Sequence, residues 1–193
     1  MPNRLTKIVT RGGDKGETSL GDGARLAKDH PRIALLGDID ELNSWIGVVL
    51  AHLSDGAVTK TLVSVQHDLF DLGGALSLPG TPLLSAAHVD RIDAAAAVLN
   101  QDLPPLKDFI LPGGAPVLAW LHVARTVCRR TERGLAGLAR EQPEAAQALR
   151  YLNRLSDYLF IAARFEAKRL GATETLWAKR HSISGAEAAD EGE

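Results

Sequence analysis

Three arginines and one glutamate form the densest chemistry in this chain. The segment His122-Val123-Ala124-Arg125-Thr126-Val127-Cys128-Arg129-Arg130-Thr131-Glu132-Arg133 has a spacing that suits a helix. At 100° per residue, Arg125, Arg129, Glu132 and Arg133 share about one third of the circumference. Arginine offers a planar fork of donors that matches phosphate oxygens, and a neighbouring carboxylate can fix its orientation. Like charges this close repel unless an anion or an acidic partner sits opposite. The other reading is a solvated face laced by helical ion pairs, each worth a few tenths of a kcal/mol.

A second segment also suits an anion. Thr10-Arg11-Gly12-Gly13-Asp14-Lys15-Gly16-Glu17-Thr18-Ser19-Leu20 is rich in glycine, which permits positive φ and leaves backbone N–H groups uncovered. Thr10, Thr18 and Ser19 add hydroxyls, and Arg11, Lys15 and Lys28 add charge. The order is neither G-x-x-x-x-G-K-[ST] nor G-x-G-x-x-G. It reads either as a polyphosphate cradle or as a tight, solvated turn.

Two further stripes are polar. Asn153 and Asp157 lie one turn apart in YLNRLSDYLFI, with Phe160 close by. An asparagine there can pair with an adenine edge or a ribose hydroxyl, or it can be ordinary helix-surface polarity. Asp40, Asn43, Ser44 and Gly47 form a comparable stripe nearer the N-terminus. Asp40 is a candidate partner for an arginine on another element, or a solvated carboxylate. The six histidines form no H-E-x-x-H and no Glu-x-x-His pair, and G-x-S-x-G is absent. The chain thus offers anion sites without an obvious nucleophile of its own, which suits a reaction whose substrate supplies one.

These groups must be positioned by helices. The chain has 193 residues, 5% aromatic, and long proline-free stretches with apolar residues at helical spacing. The pattern predicts an all-α, five-helix up-and-down bundle in a single domain over residues 1–183. Helices are expected at 31–53, 57–78, 86–101, 116–140 and 144–170. Pro31 and Pro116 sit near two starts, Ser85 caps a third, and Gly171 closes the last. Residues 1–29 would be the nucleotide loop, 30–171 the bundle, and 184–193 a disordered acidic tail. The 103–115 link is long and irregular, as functional loops often are.

A formal charge of -2 argues against a nucleic-acid partner. No apolar run is long enough to span a bilayer, and the first residues lack a secretory signal. With a single cysteine, Cys128, the chain is expected to be cytoplasmic.

Five blocks in order carry a resemblance: TRGGDKGETSL, GDIDELNSWIG, FILPGG, HVARTVCRRTERG and YLNRLSDYLFIAAR. Together, over about residues 7–170, the chain resembles the PduO-type ATP:cob(I)alamin adenosyltransferases. The resemblance implies transfer of the 5′-deoxyadenosyl group of ATP to the Co(I) of cobalamin or another corrinoid, with triphosphate released. It implies a homotrimer with active sites between subunits. Thr10, Arg11, Gly12, Gly13, Thr18, Ser19 and Lys28 of one subunit would hold ATP. Arg129, Arg130, Glu132, Arg133 and Asn153 of a neighbour would complete the site. Arg129, Arg133 and Phe109 would be the catalytic residues, with Phe109 under the corrin ring. Asp40 and Arg125 would pair across the interface. Mg²⁺ would ride on the ATP phosphates, with no side-chain ligand assigned. A reductase and an adenosylcobalamin-dependent enzyme would be its partners. Residues after 171 fall outside the match. The rival reading is a carrier or sensor bundle that binds ATP or adenosylcobalamin without catalysis.

Overall fold

The computed structural model describes residue 9 and residues 11–78, 80–140, 142 and 145–179. Thr10 and the 184–193 tail lie outside the described residues. Two short strands come first, β1 (Glu17–Ser19) and β2 (Arg25–Ala27). Five helices follow among the described residues: α1 (Pro31–Leu50), α2 (Ala57–Leu76), α3 (Ala86–Asn100), α4 (Pro116–Ala139) and α5 (Ala146–Leu170).

Local signals set the helix ends. Pro31 opens α1, where its missing N–H costs nothing, and His30 Nδ1 accepts the Arg32 N–H at 3.1 Å. Ser85 and His88 form a reciprocal capping box on α3. Gly171 ends α5 at φ 64, a left-handed turn that glycine adopts without strain. The helices stop one to three residues short of the sequence-based ends for α1–α4, and α5 begins two residues later. Terminal turns fray where no residue type marks the stop.

Contacts between elements fix the directions. Asn43 and Gln66 exchange bonds, each side-chain amide donating to the other's carbonyl at 3.3 and 3.2 Å, which ties α1 to α2. The Thr131 hydroxyl donates to the Asp38 carbonyl (3.2 Å), so the end of α4 meets the start of α1. Glu132 meets Asn153 while His122 meets Phe160, so α4 and α5 are antiparallel. Arg154 pairs with Asp93, and Lys168 donates to the Asp102 carbonyl at the far end of α3. Thus α3 runs parallel to α5, and the bundle is up-and-down throughout. Leu42, Ile46, Leu62, Leu121, Leu135 and Leu152 are fully enclosed at its centre. Each such side chain contributes about 1.5–3 kcal/mol by leaving water.

The N-terminal segment departs from expectation. The sequence reads as a loop there, but the segment contains an antiparallel hairpin pairing Glu17 with Ala27 and Ser19 with Arg25. The turn is held by Asp22 Oδ1, which accepts the Ala24 N–H at 2.9 Å. Gly21 donates its N–H to the Ser77 carbonyl (2.8 Å). A Cβ at Gly21 would lie 2.8 Å from Leu78 Cδ2, so only glycine lets the hairpin tip seat on the end of α2. Strands of three residues leave almost no period in the sequence, and the seating is tertiary.

Candidate active site

The arginine stripe exists as a face of α4. Arg125 is half-buried, while Arg129 and Arg133 are exposed. Among the described residues none of the three makes an ion pair, and Arg125 Nε is buried without a partner. Burial, and then the like charge of Arg129, hold the Arg125 guanidinium below the usual arginine range. This face carries positive charge that no ion pair among the described residues compensates.

Glu132 does not pair with these arginines. Its Oε1 accepts a hydrogen bond from Asn153 Nδ2 at 3.0 Å, and Asn153 Oδ1 accepts from Arg154 Nη1 at 2.8 Å. The carboxamide of Asn153 is therefore pinned on both sides, with one N–H left for a ligand. Cys128 lies beneath, fully buried and bonded to the Leu152 carbonyl. Burial foremost, with Glu132 and Asp157 adding to it against Arg129, pushes its thiol well above the ordinary range. It is a packing residue, not a nucleophile.

Arg130 is engaged inside the protomer. Its Nε bonds Asp38 Oδ1 at 3.0 Å and its Nη2 contacts Glu41. The 100° step from Arg129 turns it toward α1, so its charge is already neutralised at the α1–α4 seam and it stands apart from the stripe.

The glycine-rich loop folds around Lys28. Arg11 sits at φ 59, and Gly16 and Gly23 also have positive φ. The Lys28 N–H bonds the Gly16 carbonyl at 2.9 Å, and its ammonium lies 3.0 Å from where a Cβ of Gly13 would be. Glycine at 13 is what lets the cation lie over the loop. Arg25, which the sequence reading did not single out, spans the hairpin from below. Its guanidinium reaches Glu17 (3.2 Å), the Ser19 hydroxyl (3.4 Å) and the Gly12 carbonyl (3.1 Å). Thr18 is half-buried on β1. The hairpin tip sits on the end of α2, at the end of the bundle where α1 begins and α4 finishes. No described contact within the protomer joins this loop to Arg129 or Arg133.

Asp40 is exposed; among the described residues its side chain makes no ion pair, and its backbone carbonyl accepts from Ser44 Oγ at 2.9 Å. One protomer does not bring Asp40 to Arg125.

The opposite end carries the FILPGG loop. Phe109 is 79% exposed, a large apolar cost for a side chain with nothing over it. It borders an open cavity of about 440 Å³ together with Leu106, Ile110, Arg125 and Phe160. The loop is held by residues beyond α5, which the sequence reading left unassigned. Trp177 donates its N–H to the Phe109 carbonyl (2.7 Å), and Leu111 donates to the Thr175 carbonyl (2.8 Å). Buried Arg164 anchors that strap by bonding Glu174 (3.3 Å) and the Pro104 carbonyl (2.9 Å). Leu176 and Trp177, also about half exposed, extend the apolar rim. The paired run of backbone bonds has no sequence signature, but an exposed-looking Leu-Trp just past a helix-ending glycine was a usable hint.

The comparisons with known proteins agree with one another. Residues 8–166 match the family model described as cobalamin adenosyltransferase. A cobalamin adenosyltransferase of Cupriavidus metallidurans is 49% identical over 178 residues, spanning 92% of this chain and 97% of that protein. A corrinoid adenosyltransferase of Mycobacterium tuberculosis is 45% identical, spanning 85% and 90%. A variant of the PduO-type ATP:corrinoid adenosyltransferase from Lactobacillus reuteri, complexed with cobalamin and ATP, superposes with TM-score 0.82 at 35% identity, covering 90% of this chain and 100% of that one. This chain belongs to the cobalamin adenosyltransferase family.

Proposed function

We propose that this chain transfers the 5′-deoxyadenosyl group of ATP to the Co(I) centre of a corrinoid. The observation that carries the reading is the unneutralised Arg125–Arg129–Arg133 face, which leads directly to the apolar cavity beside Phe109. In the reaction the Co(I) electron pair forms a bond to C5′, the C5′–O bond breaks, and triphosphate leaves. The chain needs no nucleophile of its own. It must align two substrates and stabilise the departing charge.

Arg129 and Arg133 bind the triphosphate, and Asn153, pinned by Glu132 and Arg154, presents its remaining N–H to the nucleoside. Thr10, Arg11, Gly12, Gly13, Thr18, Ser19 and Lys28 wrap the phosphates from a neighbouring protomer. The placement of the loop supports that reading, since it has no described contact to the arginine face of its own chain. Asp40 and Arg125, neither of which makes an ion pair among the described residues, join across the same interface of a homotrimer. Mg²⁺ on the triphosphate oxygens would supply further charge neutralisation. Phe109, with Phe160 and Trp177 beside it, keeps water and the lower axial ligand from the cobalt, which eases reduction to Co(I).

Among the described residues no helix is long and apolar enough to cross a membrane. We place the enzyme in the cytoplasm as one domain over residues 1–183, receiving electrons from a reductase and supplying an adenosylcobalamin-dependent enzyme. The test is turnover with ATP and cob(I)alamin, read as the adenosylcobalamin spectrum and as triphosphate released, with sedimentation for the trimer. Binding of both substrates without a cobalt–carbon bond would mean a carrier instead.

A further inference from the structure

The ring of Phe109 is mostly exposed, so its place is set by its backbone and not by packing. That backbone lies in the irregular link between α3 and α4. Among the described residues, the backbone bonds of residues 104–113 go to the strap beyond α5. The Trp177 N–H donates to the Phe109 carbonyl (2.7 Å), and the Leu111 N–H donates to the Thr175 carbonyl (2.8 Å). Ile110 and Leu176 form an antiparallel bridge between them. Wherever the strap sits, Phe109 follows.

The strap itself has little to rest on. Thr173, Thr175, Leu176 and Trp177 are exposed, and Glu174 is half-buried. Beneath lies a cavity of about 170 Å³, walled by Leu118, Ala163 and Ala167 on the bundle side. The side chain that ties the strap down is Glu174, whose carboxylate accepts from Arg164 Nε at 3.3 Å. Arg164 projects from α5 and is only 7% exposed. Its Nη2 donates to the Pro104 carbonyl (2.9 Å), and Lys168, one turn on, donates to the Asp102 carbonyl. The planar fork of arginine suits two acceptors at once. One guanidinium therefore fastens both the start of the link and the strap to a single rigid helix. The same helix carries Phe160, which faces Phe109 across the larger cavity. A buried guanidinium stripped of its carboxylate is costly, so the pair holds the strap in one position.

Building on the function proposed above, we infer that Arg164 and Glu174 are positioning residues for the cobalt step: by fixing the strap, they hold the Phe109 ring where it takes the place of the lower axial ligand. A displacement of about 1 Å is enough to spoil a reacting geometry. The cavity under the strap gives room for such a shift once the tie is cut.

The experiment compares cobalamin, which carries a tethered base as lower ligand, with cobinamide, which lacks that base. Glu174→Ala should lower kcat with cobalamin about tenfold and with cobinamide less than about threefold, leaving KM for ATP within about twofold. With ATP present, the electron paramagnetic resonance spectrum of cob(II)alamin should show a larger base-bound fraction in this variant than in wild type. Glu174→Gln keeps an acceptor for Arg164 and should restore most of the rate. Trp177→Pro and Trp177→Ala keep the test alive if Glu174→Ala folds poorly. Both lose the indole, but only proline loses the N–H that bonds Phe109, so proline should show the larger cobalamin-specific loss. Melting temperatures report folding. Equal losses with the two corrinoids, or an unchanged spectrum in Glu174→Ala, would make the pair a structural tie and overturn the inference, even with wild type turning over normally. If wild type forms no cobalt–carbon bond, the functional proposal falls first, and this inference with it.

Discussion

Asp68 and the α4 arginine stripe are both dense in charge, and they are built in opposite ways. Asp68 is buried among α2, α3 and α5, where it accepts from the Tyr151 hydroxyl at 2.6 Å, contacts Arg91 and has His88 at 3.9 Å. Its charge is matched inside the protomer, and the cluster joins three helices. Among the described residues Arg125, Arg129 and Arg133 make no ion pair. A folded chain that neutralises one cluster completely and leaves another bare has placed the second where a ligand or a partner subunit completes it. Balanced charge here stabilises the bundle, and unbalanced charge lies where the function proposed above puts the triphosphate.

The sharpest way to break that distinction is to remove one member of each cluster. Arg129→Ala should lower kcat/KM by roughly 10²–10³, the usual cost of deleting a donor to developing negative charge, with helical content and melting temperature near wild type. Normal turnover in that variant would remove the stripe from the mechanism. Asp68→Ala should do the reverse. It leaves the Tyr151 hydroxyl unpaired and Arg91 without its partner, and should cost about 3 kcal/mol. The melting temperature would fall by roughly 6–12 °C for a domain of this size, with ATP affinity retained by the folded fraction.

How much of this could be read beforehand follows from the range of each interaction. Helices α1 to α5 were legible because Pro31, Ser85, Pro116 and Gly171 act within one turn and the apolar spacing repeats over 15 or more residues. The stripe was legible because helical angle alone puts Arg125, Arg129 and Arg133 on one face. Arg130 was not, because its partners Asp38 and Glu41 lie about ninety positions away on α1. The Arg25 fan, the seat of Gly21 on α2 and the 173–177 strap also depend on contacts that no local pattern encodes.

Smaller effects sharpen the comparison. Phe109→Ala should slow the cobalt step about tenfold, equivalent to ~1.4 kcal/mol, and leave ATP affinity within about twofold, because Phe109 borders the cavity and not the stripe. Equal losses in both would make it a mere prop for the loop. Tyr151→Phe should cost about 1 kcal/mol and also alter the alkaline limb. Burial, then the bond and charge of Asp68, raise the Tyr151 phenol well above its ordinary range. Above about pH 10 the unfolded chain gives up this proton while the folded one keeps it, so stability falls as pH rises. Denaturant midpoints from pH 9 to 11 should drop less steeply in the phenylalanine variant. An unchanged slope would mean that another group governs alkaline unfolding.

The smallest expected effect tests the two clusters within one helix. Arg130 follows Arg129 directly, carries the same charge and belongs to the balanced kind, tied to Asp38 and Glu41. Both carboxylates are solvent-accessible, and the hydrogen bond and charge of Asp38 foremost hold the Arg130 guanidinium above its usual range. An accessible network of this sort contributes about 0.5–1 kcal/mol. Arg130→Ala should therefore lower the melting temperature by a few degrees at most, with ATP dissociation constant and turnover close to wild type. Should ATP affinity instead fall as far as it does in Arg129→Ala, the guanidinium leaves α1 when nucleotide binds. The division between balanced and bare arginines would then describe only the ligand-free protomer.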